Sequence, residues 1–128
     1  MSMLILGIMV TGVVGGYMQA HRQAEWSAYS LAANSLAMQP IEQARAAQWD
    51  LYKVPPKDDL TNMAAWTTNV LDIPINGTNN IVWATNRTTV TTISTAPPLK
   101  EIKVECTWAF MNRGVFTNTV ITYRAPDQ

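Results

Sequence analysis

The first part of the chain is apolar on every side. Residues 3–18 carry no charge and consist mainly of Leu, Ile, Val, Met and Gly. A helix without a polar stripe lies in lipid or among other helices, and a membrane span takes about 20 apolar residues. The run is therefore slightly short for a span, unless Ala20 or residues upstream of Met1 extend it.

Glycines in this run favour contact between helices. Gly12 and Gly16 are four residues apart and share one helix face, and small residues let helix backbones approach closely. Gly15 beside Gly16 predicts a local stretch or kink, because each glycine costs about 1 kcal/mol relative to alanine. The predicted helix-packing and membrane residues are Leu4, Ile5, Ile8, Met9, Gly12, Val13 and Gly16.

From Gln19 onward the pattern becomes striped. Apolar residues recur every three or four positions, with most charged residues between them, which predicts an amphipathic helix that continues the apolar one as far as Trp49. Pro40 removes one helical hydrogen bond, so a kink is expected at residues 37–39. At 1.5 Å per residue, the whole helix would be about 70 Å long.

The second half of the chain has the pattern of short strands. Residues 53–59, KVPPKDD, end the helix, and an Asn- and Thr-rich stretch with several turn signals follows. Strict alternation after Ile102 gives the clearest strand, and a turn ending at Gly114 returns the chain as its partner. The predicted strands are 70–75, 81–85, 88–94, 102–111 and 115–123.

These elements predict an α+β fold. A long N-terminal α-helix, apolar in its first half and amphipathic in its second, packs on a small antiparallel β-sheet. Residues 1–52 form the helical region and residues 53–128 the small sheet domain. The apolar face of the last hairpin needs a cover, which the helix stripe supplies. The predicted helix–sheet core is Trp26, Tyr29, Leu36, Ile41, Ile102, Val104, Cys106, Trp108 and Phe110.

Composition argues against several functions. Nine basic and nine acidic residues give a net charge of zero, which is not the footprint of a nucleic-acid-binding domain. With one His and one Cys, the chain offers no internal disulfide, no Cys/His metal site and no nucleophile–base pair, so we expect neither an enzyme nor a cofactor. Asp58 and Asp59 are adjacent carboxylates that could pair or bind calcium, but Asp72 and Asp127 lack the oxygen-rich neighbourhood that would support such a site, so no metal is expected.

The order of elements resembles type IV pilins and the pseudopilins of type II secretion systems. The resemblance rests on residues 3–10 with the glycines at 15 and 16, on the helix over 22–49, and on the ending at 108–110 and 124–127. The last two parts look most like minor pilins or minor pseudopilins. The family's glutamate near the start of the apolar segment is missing: it would fall just before Ser2, or Ile5 stands in its place.

That resemblance implies a filament subunit. A basic leader would be cut by a prepilin peptidase, the new N-terminus methylated, and the subunit drawn from the inner membrane into a helical filament with copies of itself or other pilins or pseudopilins. The filament would be extracellular or periplasmic. The resemblance does not separate a pilus from a secretion pseudopilus, nor a major from a minor subunit.

Other interpretations of the sequence remain open. The apolar run would be a poor signal peptide, because no basic residue precedes His21, although a permanent membrane anchor fits it. A small anchored or secreted module that binds a glycan or a protein would expose Trp66 or Trp83 on a rigid face, whereas a filament subunit is expected to use them in its core. Residues 76–78 and 86–88 match the N-glycosylation acceptor, but solvated turns are the preferred interpretation.

Overall fold

The computed structural model describes residues 2–73, 81–110 and 113–127, and it confirms the α+β fold. Strands β3 to β6 form one antiparallel sheet in chain order, and β1 and β2 form a separate two-stranded ladder. The elements are α1 (Ser2–Ala46), β1 (Trp49–Asp50), β2 (Lys57–Asp58), a 3-10 helix (Thr61–Met63), β3 (Ala65–Val70), β4 (Trp83–Thr95), β5 (Pro98–Ala109) and β6 (Val115–Arg124).

Helix α1 continues through Gly15, Gly16 and Pro40 as one element. The prediction that it reaches Trp49 is wrong by three residues. The main-chain N–H of Trp49 donates to a carboxylate oxygen of Asp127 at 2.9 Å, and the Trp49 carbonyl accepts the Asp127 N–H at 2.7 Å. These contacts with the C-terminal segment replace the helical hydrogen bonds that Trp49 would otherwise make.

The sheet differs from prediction in its first two strands. The predicted strands 81–85 and 88–94 are one continuous strand, β4, so the turn expected at residues 86–88 is wrong. The predicted strand 70–75 is also wrong where it can be examined, because β3 ends at Val70 and residues 71–73 belong to no strand. Residues 74–75 and the acceptor at 76–78 lie outside the described residues.

The C-terminal hairpin of β5 and β6 is confirmed. The two strands pair from Lys100 with Arg124 to Ala109 with Val115. The tip residues 111 and 112 lie outside the described part, and Gly114 has φ of 115°, a left-handed conformation that glycine adopts without strain. Alternate residues from Ile102 to Phe110, the last of them just beyond the end of β5, are all buried.

The second half of α1 covers the inner face of β5 and β6. Three alanines on one side of the helix, Ala33, Ala37 and Ala44, are almost completely buried, and their small side chains let the helix lie close to the sheet. The aromatic rings cluster at the end of this contact nearest Tyr29. The Tyr29 ring meets that of Phe110 edge to face at 5.1 Å, and the Trp108 ring stacks on that of Phe116 at 5.3 Å.

The predicted core residues occupy this contact with two exceptions. Leu36 is half-buried, and Trp26 is 41% exposed because it lies at the edge where its ring still touches those of Trp108 and Phe116. Phe116 and Leu60 join the core without having been predicted. The remaining predicted residues are buried: Tyr29, Ile41, Ile102, Val104, Cys106, Trp108 and Phe110.

Candidate functional site

The apolar half of α1 is exposed on all sides. Every residue from Ile5 to Met18 faces solvent, with Ile8 69% and Val13 72% exposed. A Cβ atom added at Gly7, Gly12, Gly15 or Gly16 would meet nothing within 4 Å. The glycines therefore serve no close packing within the chain itself.

The predicted packing residues all belong to this exposed surface, except that the Leu4 side chain lies outside the described residues. The opposite side of the helix, with Leu6, Val10 and Val14, is equally exposed, so the isolated chain does not favour one face. Within the helical residues that the structure describes, no stretch combines the length and the apolar character needed to cross a membrane.

A shallow groove of about 640 Å³ lies on this half of the helix. Three residues of its lining, Met3, Gly7 and Thr11, are not among the predicted packing residues, although their four-residue spacing is a visible signal in the sequence. The Thr11 hydroxyl donates to the Gly7 carbonyl at 2.8 Å, so the hydroxyl is satisfied within the helix. The groove is lined by Met3, Gly7, Ile8, Thr11 and Gly12.

One polar contact between helix and sheet compensates for Pro40. Proline has no N–H, so the Leu36 carbonyl has no helical donor four residues ahead. The Asn86 side-chain amide of β4 donates to that carbonyl at 2.9 Å, and Asn86 is only 2% exposed. The buried Asn86 side-chain oxygen has no hydrogen-bond partner in the described protein, and Asn86 is one of the residues that line a cavity of about 270 Å³.

Two further polar contacts position the helix. The Trp108 indole N–H donates to the Asn118 side-chain oxygen at 2.8 Å, and the Asn118 amide donates to the Ser30 carbonyl at 3.1 Å. At the other end of the contact, the Arg124 guanidinium donates to the carbonyl of Ala44, in the last turn of the helix, and to that of Ala47, directly after the helix. The sheet thus contacts the backbone of the second half of the helix at three places, the carbonyls of Ser30, Leu36 and Ala44.

The C-terminal segment completes this last contact. Arg124 also donates to Asp127 at 2.6 Å, and Asp127 accepts the Trp49 N–H. The Trp49 N–H and the Arg124 guanidinium stabilise the ionised carboxylate and hold the pKa of Asp127 below its usual range.

The adjacent carboxylates Asp58 and Asp59 do not converge on a shared site. The Asp58 carboxylate accepts hydrogen bonds from the Lys100 ammonium and the Thr61 hydroxyl, while Asp59 forms an ion pair with Lys57 at 3.0 Å. Burial raises the pKa of Asp58, but the hydrogen bonds from Lys100 and Thr61 and the lysine charge outweigh it, so the net shift is downward. Among residues 2–73, 81–110 and 113–127, no group of three or more His, Cys, Asp and Glu side chains could hold a metal ion.

The single cysteine and histidine are far apart. Cys106 is fully buried, and burial raises the pKa of its thiol to about 11, so it is a poor nucleophile. His21 lies at the end of the apolar half, 3.2 Å from the Glu25 carboxylate and stacked on Tyr17.

The outer face of the sheet, away from α1, carries two exposed tryptophans. Trp66 is 68% and Trp83 59% exposed, so the expectation that a filament subunit uses them in its core is wrong. Their alternate neighbours on β3 and β4 point inward, which places both indoles outward in the observed register. The Arg87 guanidinium lies over the Trp66 ring at 5.1 Å and holds it in place.

No family model, no curated protein and no solved structure matches the chain. Two exposed surfaces are the candidate sites: the apolar half of α1 and the outer face of the sheet.

Proposed function

We propose that the chain is a structural subunit of a helical filament of the type IV pilus or type II secretion pseudopilus kind, assembled through the apolar half of α1. The observation that carries the proposal is the exposure of this half on all sides, next to a second half that is firmly packed on the sheet. Large contiguous apolar surfaces of this kind mark sites of protein or membrane contact.

The size of the exposed surface sets its energetic importance. Nine aliphatic or methionine side chains between Met3 and Met18 are more than half exposed. At about 1.5 kcal/mol or more for each fully buried side chain, removing them from water is worth about 10 kcal/mol. That is comparable to the whole stability of a small domain, so this surface does not remain in water.

The glycines favour helices as the final surroundings. Each glycine within a helix costs about 1 kcal/mol relative to alanine, and none of the four on this half relieves a contact within the chain. Close approach of a neighbouring helix would compensate for that cost, whereas lipid gives glycine no comparable advantage. The partners in this proposal are copies of the chain or other pilins or pseudopilins.

The proposed sequence of locations follows from the same surface. Lipid of the inner membrane would cover the apolar half before assembly, and neighbouring helices would cover it in an extracellular or periplasmic filament. The exchange costs little, because one apolar surrounding replaces another. Leader cleavage and N-terminal methylation belong to this proposal through the resemblance to pilins.

Cysteine crosslinking tests the proposal directly. The native Cys106 is buried and unreactive, so cysteines can be introduced without removing it. Chains with two new cysteines, Ile5→Cys and Val13→Cys, would be oxidised in the membrane and shed-filament fractions and separated by non-reducing electrophoresis. A filament would give a ladder of covalent multimers, because each subunit contacts several neighbours through α1.

The matched control carries its cysteines on the sheet, at Thr89 and Thr91, away from the helix. It should remain monomeric under the same oxidation. A monomer for both variants would indicate a simple anchored protein and would contradict the filament.

A second function is compatible with the first. The exposure of Trp66 and Trp83 favours ligand binding by the outer face of the sheet, which lies on the side away from α1. One subunit can therefore assemble through its helix and present the other surface outward.

A further inference from the structure

The outer face of the sheet contains a groove of about 390 Å³. This volume lies within the range of small-molecule sites, near its lower end. Its lining combines one indole ring, a charged pair and three threonines, all on β-strands. The lining residues are Trp66, Thr85, Arg87, Glu105, Thr107 and Thr117.

A row of threonines runs across all four strands of the sheet. Thr68 pairs with Thr85, Thr85 with Thr107, and Thr107 with Thr117, so one threonine of each strand stands in register on the outer face. Neighbouring strands are about 4.8 Å apart, and each hydroxyl offers one donor and two acceptor positions. The hydroxyls of Thr107 and Thr117 are already 3.2 Å apart, so the row is ordered before any ligand binds.

The two tryptophans lie on opposite sides of this row. Trp66 pairs with Arg87, and Trp83 pairs with Val70, four residues farther along β3. At about 3.4 Å per residue and one strand spacing, the Cα atoms of the two tryptophans are about 14 Å apart, with the threonine row between them. The rings would therefore contact different units of one extended ligand.

The charges of this face balance. The face carries Arg87 and Lys103 together with Glu101 and Glu105; Arg87 lies opposite Glu105 on the neighbouring strand, and Lys103 pairs with Glu105 at 2.7 Å. A surface of this kind has no excess positive charge that would attract a phosphate group or an acidic polymer. Between the two indoles it presents hydroxyls instead of the apolar centre that is typical of interfaces between proteins.

We propose that this outer face binds a neutral polysaccharide, which lies along β3 and β4 and crosses the threonine row between Trp66 and Trp83. The aliphatic C–H face of a sugar ring packs on an indole, and its hydroxyls exchange hydrogen bonds with threonine, arginine and glutamate side chains. Arg87 holds the Trp66 ring before binding, which reduces the entropy lost on association. The site is independent of filament assembly.

The test uses the full chain in a detergent without a sugar headgroup, because maltoside or glucoside detergents would compete for the site. The probe is a printed array of neutral glucans, mannans, galactans and N-acetylhexosamine polymers, with affinities then measured by titration of tryptophan fluorescence. We expect wild type to bind at least one of these polymers. Trp66→Ala and Trp83→Ala should each weaken binding about tenfold, which corresponds to about 1.4 kcal/mol.

Tyr52→Ala is the matched control, since Tyr52 is an exposed aromatic residue, 85% accessible, in the loop between β1 and β2 and outside the four-stranded sheet. It should bind as wild type does. Thr85→Val keeps the shape of the strand and removes one hydroxyl of the row, so it should weaken binding without changing the fold.

Two results would overturn the proposal. One is the absence of binding to every neutral polymer of the array, or binding that the two tryptophan variants leave unchanged. The other is self-association in sedimentation that both variants abolish, because the face would then be an interface between copies. Added to the chain with Ile5→Cys and Val13→Cys, the same two substitutions should leave the α1 crosslinking ladder unchanged, which separates this test from that of the filament.

Discussion

The pairing of Pro40 with Asn86 can be tested as an energetic coupling. The Leu36 carbonyl accepts the Asn86 amide at 2.9 Å, in the place where a residue other than proline would supply an N–H. In Pro40→Ala the helix itself provides this donor. We therefore expect Asn86→Ala to destabilise the wild-type chain more than it destabilises the Pro40→Ala variant.

The expected size follows from the hydrogen bond. Losing one partner of a buried hydrogen bond costs about 1–3 kcal/mol, because the remaining group is left unsatisfied. The packing lost on truncating Asn86 is the same in both backgrounds and cancels in the double-mutant cycle. The coupling energy should therefore be about 1–2 kcal/mol, with the larger destabilisation in the chain that contains Pro40.

The native cysteine provides the assay. Cys106 is fully buried in the folded chain, so a short pulse of a thiol reagent labels only unfolded molecules. The labelled fraction, measured by intact mass along a urea titration in detergent, gives the free energy of unfolding for the four members of the cycle. A stability of about 5–15 kcal/mol for a domain of this size leaves each single variant folded at the start of the titration.

Asn118 supplies the control for this cycle. Its amide also donates to a helix carbonyl, that of Ser30, but the residue four positions ahead is Asn34, which keeps its N–H. Asn118→Ala and Pro40→Ala should therefore be additive within about 0.5 kcal/mol. The compensation argument is refuted if Asn86→Ala and Pro40→Ala are equally additive.

Three further predictions follow from the structure. Gly12→Ala should leave the folded subunit at least as stable, because the added methyl meets nothing within 4 Å, but should reduce filament yield in sedimentation assays. The contacts of Asp127 with Trp49 and Arg124 lower its pKa, so they stabilise the fold above about pH 4, and this stabilisation is lost as the pH falls through the folded-state pKa. Asp127→Asn should therefore reduce the loss of thermal stability that wild type shows at acidic pH. Native Cys106 should resist alkylation at pH 8 until the chain unfolds.

Much of the fold is readable from local patterns in the sequence. The helix is apolar or alanine-rich over its whole length. Apolar residues occupy every second position from Ile102 through β5 to Phe110, directly after it. Strand β3 was missed because its six residues are all exposed, and its inward positions include Thr67 and Asn69. No apolar alternation marks such a strand.

The errors in β4 have a different cause. Asn86 is a typical turn residue, and its actual partner is a helix carbonyl 50 positions earlier in the chain. The outward direction of Trp66 and Trp83 likewise depends on strand register, which a single sequence does not specify when both faces contain threonine. The candidate packing surface of α1 was visible in the sequence, whereas the groove on the outer face required the pairing of four strands.

The division of the chain into two surfaces follows from how the helix is held. Contacts at Ser30, Leu36 and Ala44 attach the second half of α1 to one face of the sheet, so the apolar half extends as a continuation of a fixed helix. In the proposed filament, neighbouring subunits would cover the apolar half of α1 and leave the outer face of the sheet free. Substitutions at Trp66 or Trp83 should then change what the proposed filament binds without changing whether it forms, and substitutions at Gly12 should do the reverse.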